Sequence, residues 1–505
     1  MILRTWITED LLMELEQIAS LGRKLSGFLT RFDDCCGRPE PRRLMKAYVR
    51  GQLSDLQRKS VEPIALRNGI PPRTLQGFLE FVKWDEEKLR DRCQEIVAKE
   101  HAHPEAIGLI DESGVPKSGN NTVGVARQWC GRTGKIDNCV VAVHCGYATE
   151  DFQCLLDSDV YLPEDWANDP ERRRQAYVPE EVEFRTKTKM AQGQIKRALD
   201  HGIRVAAWTF DELYGRDSKF LDFLELEQQQ AFVGEVPANF YGWAGTPEVL
   251  RTAPKNARKG RGRKKKYPRV ARRTPAYEVQ NLARYSPVFQ RQEWQPYHIK
   301  DGEKGPVVWE VKSARFYRKQ SDGMPSRVCT LIVARNALNR DEIKYFVANR
   351  VADDDAGPGG EPVTLTWLLW VAFRRWPIEQ LFRQGKNELG LDHYEVRGWR
   401  CVHRHFYVTA LSQLFCARVR QEYAATGDPW TLEQVRRATS LWLDVADLPR
   451  SAREARFQRE LDKVAYYQRR NAQARTSHTK TRLKRLDELG IDVEALESCL
   501  PPDTS

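Results

Sequence analysis

Two short apolar runs that each end on an aspartate, AIGLID (106–111) and IRVAAWTFD (203–211), lie a hundred residues apart. CVVAVHCGY (139–147) and FQCLLDSDVYL (152–162) read as further strands, and TKTKMAQGQIKRALDHG (186–202) as a helix closed by glycine. KFLDFLELEQQ (219–229) reads as another helix and AFVGEV (231–236) as another strand. Three strands, a helix, a strand, a helix and a strand predict an α/β fold built on a mixed sheet. In such sheets strand ends collect functional groups, so Asp111 and Asp211 can meet in space.

An aspartate at a strand end also caps the following turn through its side chain, and either residue taken singly fits that role. Paired carboxylates suit a hard cation such as Mg²⁺, which keeps waters and leaves positions open for phosphate oxygens. Two such ions activate the attacking oxygen and stabilise the leaving one in phosphoryl transfer.

A chain of 505 residues is longer than one core usually supports, so two or three domains are expected. The net charge of +11 favours a polyanionic partner or an acidic membrane surface. LTWLLWVAF (365–373) is too short to span a bilayer and is followed by two arginines, and the amphipathic, partly acidic start has no cleavage-site signature. A cytosolic protein without a membrane partner is expected. The eleven cysteines are odd in number, contain no C-x-x-C pair and are read as reduced thiols. Cys401, His403 and His405 could suggest zinc, but their spacing on a helix points the side chains in different directions.

Composition divides the chain. Residues 1–100 read as helical, and VEPIALRNGIPPRTLQGFLEFVKW resembles a helix-turn-helix as much as a plain helical hairpin, which makes this region a candidate DNA-binding domain. The first part of the sheet occupies 101–245. The stretch 251–275 holds twelve Lys or Arg and no acidic residue, which suits a polyanion or a localisation signal, and Arg263, Lys264, Lys265 and Lys266 are its densest run. PVVWEVKSARFY, RVCTLIVA and IKYFVANR alternate as antiparallel strands do, so 246–360 reads as a basic tract with a strand-rich insertion. Residues 361–425 hold the last core helices, and 426–505 form a basic helical tail with interleaved aromatics.

FRRWPIEQLFRQGKNELGLDHYEVRGW (373–399) sets Glu379 among cations and rings. Glu379 and Lys386 are seven residues apart and share a helix face, an arrangement that also describes a solvated charge stripe. Pro377 puts Arg375 just before that helix or at its bend.

IDESGVPKSGNNTVGVARQWCGRTGKIDNCVVAV, YLPEDWANDPERRRQAYVPEEVEFRTKTKMA, FDELYGRD and RWPIEQLFRQGKNELGLDHYEVRGWRCVHRH closely resemble bacterial insertion-sequence transposases of the DDE superfamily, in the branch with a Tyr-Arg-Glu-Lys signature helix. The resemblance runs in order from about residue 30 to about 480. It implies a ribonuclease-H-like core interrupted by a strand-rich insertion, with Asp111, Asp211 and Glu379 holding two Mg²⁺ or Mn²⁺ ions. It also implies Arg375 and Lys386 as contacts to double-stranded DNA, a homodimer in the DNA complex, and a bacterial cytoplasmic protein that joins the nucleoid through DNA. The signature tyrosine falls at Ala372, which puts in doubt any hairpin or flipped-base step. The expected activity is cleavage at element ends and joining of the 3′-hydroxyl to target DNA. A transposase-derived DNA-binding protein without catalysis is the alternative, and a glycosidase using paired carboxylates is a third class.

Overall fold

The computed structural model describes residues 9–252, 266–302, 304–357, 360–425, 430–445 and 449–499. Five helices come first: α1 (Glu9–Thr30), α2 (Pro39–Leu53), α3 (Val61–Arg67), α4 (Pro72–Glu80) and α5 (Glu86–Glu100). Prolines open α2 and α4, where the missing N–H would be unpaired anyway. Between α3 and α4 the chain turns through Gly69, whose φ of 62° favours glycine.

Strands β1 (Ile107–Pro116), β2 (Ala126–Cys130), β3 (Lys135–Ala148) and β4 (Gln153–Val160) follow, then α6 (Glu164–Ala167), α7 (Pro170–Gln175) and α8 (Lys187–Asp200). The predicted helix is α8: Thr186 accepts from the Lys189 N–H at its start, and Gly202 (φ 88°) lies past its end. Next come β5 (Ala207–Phe210), α9 (Glu212–Gly215), α10 (Ser218–Asp222) running into a π turn at Phe223–Glu227, β6 (Val233–Val236), β7 (Tyr241–Trp243), β8 (Val249–Leu250), β9 (Arg269–Val270) and β10 (Tyr277–Glu278). Helices α11 (Val279–Tyr285) and α12 (Pro287–Gln290) precede β11 (Gln295–Gly302), β12 (Gly305–Arg318), β13 (Cys329–Asn336) and β14 (Asn339–Ala348). The chain ends in α13 (Leu365–Phe373), α14 (Trp376–Gln384), α15 (Trp399–Ala425), α16 (Leu432–Val445) and α17 (Arg450–Asp487).

These elements form two compact units. The first contains α1–α5, the Ile110–Pro116 part of β1, β2–β4, α6–α8 and the chain from Pro377 to Asn471. Its sheet is antiparallel where β3 meets β2 and β4, with Ala126 opposite Cys139 and Ala142 opposite Val160. Helix α15 is buried over most of its length and packs on β4, α2, α4 and α5. His405 of α15 bonds Tyr48 of α2 at 2.9 Å, and Gln52 donates to Thr409 at 2.7 Å. Buried Arg404 donates to the carbonyls of Phe78, Leu79 and Val82 at 2.9–3.2 Å, closing the end of α4.

In the second unit β5 runs beside the start of β1, with the Ala206 N–H donating to the Ala106 carbonyl at 2.7 Å. The insertion strands make a seven-stranded sheet in the order β10-β7-β12-β13-β14-β6, with β11 also on β12. The run AFVGEV, expected in the same sheet as β5, pairs instead with β14, Val233 opposite Ala348. Its tie to β5 is an isolated parallel bridge between Trp208 and Phe232. An apolar run fits either sheet, and its alternation does not name its partner. Among the described residues no helix is long and apolar enough to cross a membrane.

Candidate active site

In the first unit Asp111 is the fifth residue of β1, mid-strand rather than at the end the apolar run suggested. The strand continues because Ser113 and Val115 are buried beyond it. Asp111 is 8% exposed, and its Oδ1 accepts the Glu112 N–H at 2.7 Å. Glu112 pairs with Lys187 of α8 at 2.6 Å.

Glu379 sits on the outer face of α14. Ile378, Leu381 and Phe382 are buried, while Glu379 and Arg383, one turn apart, are exposed. The buried face rests on His144, whose ring lies 4.9 Å from that of Phe382 and which bonds Ser158 at 2.7 Å. Burial, helped by the Lys386 charge, pushes the His144 imidazolium down to about 3, so a neutral ring supports the helix.

After Gln384 the α-helix widens into a π turn, Gly385–Leu389, ended by Gly390 at φ 75°. A side chain at Gly390 would also bring its Cβ to 2.6 Å from Lys59 Cβ, so glycine is needed twice over. The π turn breaks the 3.6-residue phase from which Glu379 and Lys386 were placed on one face. Glu379 is exposed, whereas Lys386 is half-buried with its Nζ 5.9 Å from the Phe382 ring centre. Burial lowers the Lys386 pKa, against the opposing pull of Asp392 and Asp111. The first acid and the predicted lysine therefore feel each other.

The hairpin of β2 and β3 completes this side. Arg132 in its turn pairs with nearly buried Asp392. A Cβ on Gly114 of β1 would lie 2.9 Å from Cys130 Sγ, so the hairpin comes down on β1 at a position that tolerates only glycine without adjustment. Sequence reading missed Arg132 and Asp392. The Gly-Arg-Thr-Gly turn at 131–134 was the available signal for the hairpin, but not for its partner.

In the second unit Asp211 follows β5 and caps α9, accepting the Leu213 N–H at 3.0 Å. Burial raises its pKa above the ordinary carboxylate range, although Arg375 and the N–H groups of Leu213 and Tyr214 pull the other way. Arg375 lies between α13 and α14, so the predicted cation is within electrostatic reach of the second acid. Ala372 is buried in α13, and neighbouring Phe373 packs on Trp309 and Phe346 with ring centres 4.9 and 5.3 Å away. Neither offers a hydroxyl in place of the missing tyrosine.

Of the basic run, Lys266 is exposed, while Arg263, Lys264 and Lys265 lie outside the described residues. The zinc-like trio is used in packing: Cys401 bonds the Gly398 carbonyl at 3.1 Å, His403 the Trp399 carbonyl at 2.9 Å, and His405 the Gly390 carbonyl at 3.0 Å. All eleven cysteines are free and buried.

As the predicted ligands, Asp111, Asp211 and Glu379 would each offer carboxylate oxygens, the donor type a hard divalent ion takes. Among the described residues no three His, Cys, Asp or Glu side chains stand ready as a metal cluster.

The family described as DDE superfamily endonuclease matches residues 31–306. A curated relative, "Probable transposase for insertion sequence element IS701" of Microchaete diplosiphon, is 33% identical over 198 residues, 38% of this chain and 48% of the relative. The match thus spans about half the length of that protein.

Proposed function

Because the chain belongs to the DDE superfamily endonucleases, we propose that it is an insertion-sequence transposase whose three acids are Asp111, Asp211 and Glu379. The observation that carries this reading is the match of residues 31–306 to the DDE superfamily endonucleases, and the attraction of Lys386 to Asp111 and of Arg375 to Asp211 is in keeping with it. Water attacks the phosphorus at an element end, the P–O3′ bond breaks, and a 5′-phosphate and free 3′-hydroxyl result. That hydroxyl then attacks a target phosphodiester and displaces a target 3′-oxygen, which takes up the proton. Mg²⁺ or Mn²⁺ held by the three carboxylates would activate the attacking oxygen and stabilise the leaving one.

The chain's own residues do the rest. Asp211 is held in place by the backbone N–H groups of Leu213, which donates to its Oδ1 at 3.0 Å, and of Tyr214. Arg375 and Lys386 hold phosphate oxygens of the strand being cut. Glu379, exposed on a helix fixed by buried Ile378 and Phe382, meets DNA from outside the core. A ribonuclease-H-like core, a dimer that pairs two element ends, and work at the bacterial nucleoid belong to the same proposal.

The test is nicking of a supercoiled plasmid that carries the coding region with its flanking DNA, in Mg²⁺. Wild type cuts at the flanks, and Asp111→Asn and Glu379→Gln lose about a thousandfold, the several kcal/mol a metal-held transition state is worth. Cleavage by either variant within about tenfold of wild type removes that residue from the triad. A wild type that binds the flanks but never cuts them favours the non-catalytic alternative.

A further inference from the structure

Helix α2 carries a cationic groove that none of the acids or signature cations accounts for. The groove, about 460 Å³ in volume, is walled by Arg42, Arg43, Lys46 and Arg50 of α2 and by Asn68 and Ile70 from the turn between α3 and α4. No carboxylate lines it. Lys46 is paired with Asp33 at 2.8 Å, and Arg42 donates to the Cys36 carbonyl at 2.9 Å. Arg43 and Arg50 are exposed and make no ion pair or hydrogen bond among the described residues. We propose that Arg43 and Arg50 grip the sugar-phosphate backbone of duplex DNA along α2. This rests on the transposase reading and says where, outside the cleavage site, the DNA is held.

The geometry suits a backbone contact. Seven residues at 1.5 Å each set the two arginines about 10.5 Å apart on one face, so their long side chains can reach separate phosphates of one duplex. The helix is a rigid platform, since its opposite face buries Leu44, Met45, Tyr48 and Val49 and is fastened to α15 through Tyr48 and Gln52. The far wall is braced by Asn68, whose Nδ2 donates to the Ile64 carbonyl at 2.8 Å and reaches the Ala47 carbonyl at 3.4 Å. Helix α4, the second helix of the predicted pair, is poorer in charge. Arg73 is its one cation and Glu80 opposes it. The electrostatic grip therefore falls on α2, and it is independent of base sequence because it meets only phosphates.

The experiment measures binding of the full chain to fluorescent duplexes, with EDTA to silence cleavage, across a range of salt. Arg43→Gln combined with Arg50→Gln should weaken binding to element-end and random duplexes alike. It should flatten the slope of log affinity against log salt by up to about 1.8, about 0.9 per phosphate contact. Arg43→Lys with Arg50→Lys should keep most of the slope, which separates charge from loss of fold. An unchanged slope and affinity in the glutamine variant overturns the proposal. So does a variant that keeps DNA but loses polyglutamate, since the groove then takes an acidic protein. If wild type binds no duplex at any salt, the transposase reading itself falls, and this proposal with it.

Discussion

Asp159 on β4, in the first unit, and Asp211 after β5, in the second, are both carboxylates drawn into the protein beside a strand. The groups they meet differ. Arg197 reaches both carboxylates of β4, with its Nε 2.7 Å from Asp157 and its Nη2 2.7 Å from Asp159. Burial pushes both carboxyls up, and around the shared Arg197 the Asp159 pKa ends below its ordinary value while that of Asp157, raised also by the Asp159 charge, ends above it. At Asp211 burial wins over Arg375 and two backbone N–H groups, and the pKa ends above the ordinary value. The second unit has its own closed network, where fully buried Arg318 meets Asp222 at 2.6 Å and also pairs with Glu225, which takes Arg327 at 2.8 Å. Closed networks hold a fold together. A carboxylate whose neighbours under-compensate its burial gains most from a cation brought in from outside.

The strongest way to break this comparison is to open a closed network. Arg197→Met strands two buried carboxylates and should cost about 3–5 kcal/mol of stability in chemical denaturation, because an unpaired buried charge is the costly state. A loss below about 1 kcal/mol would mean that water reaches β4, and that closure is not what separates it from Asp211.

A buried cation that donates to backbone carbonyls sharpens it next. Lys59, 3% exposed, donates to the carbonyls of Gln52 at 2.7 Å and Ser54 at 2.6 Å. Burial lowers its pKa from 10.5 to about 7. The folded protein therefore binds this proton less tightly than the unfolded chain. Below pH 7 both states carry it, above 10.5 neither does, and between those limits stability rises with pH by at most about 1.4 kcal/mol per unit. Lys59→Met should remove that rise. A denaturation series from neutral to alkaline pH reads it, and identical slopes in the two proteins would show that the ammonium stays charged against its carbonyls.

These distinctions were only partly legible in the amino-acid order. Helix α8 could be read from its period and its glycine, and the insertion strands from their alternation, because those signals are local. AIGLID and CLLDSDV both present aspartate in an apolar strand, and nothing in either run tells Asp111 from Asp157. The difference at β4 is Arg197, about forty residues further on and brought back by α8. Likewise the shared face of Glu379 and Lys386 assumed one uninterrupted α-helix. Gly385 gave no local warning that the next turn would widen, since the widening is tied to Leu391, whose N–H closes on the Gly385 carbonyl at 2.8 Å.

The smallest expected effect on stability is at Asp211, and there the two readings of a strand-end aspartate part company. As a cap alone, Asp211 needs only an oxygen to accept the Leu213 N–H, and asparagine caps about as well as aspartate. Asp211→Asn should then leave both stability and DNA cleavage untouched, while Asp211→Ala should cost about 1 kcal/mol through the lost cap. As a metal-holding acid, Asp211→Asn keeps the cap and removes a charge that the folded protein holds at a cost. The melting temperature should match or exceed wild type, yet cleavage should fall about a thousandfold because the amide is a poor ligand for a hard cation. Both variants are needed on one substrate. Cleavage retained in the asparagine protein and stability lost in the alanine protein would make Asp211 a cap and nothing more, and would leave the contrast with Asp159 without a functional meaning.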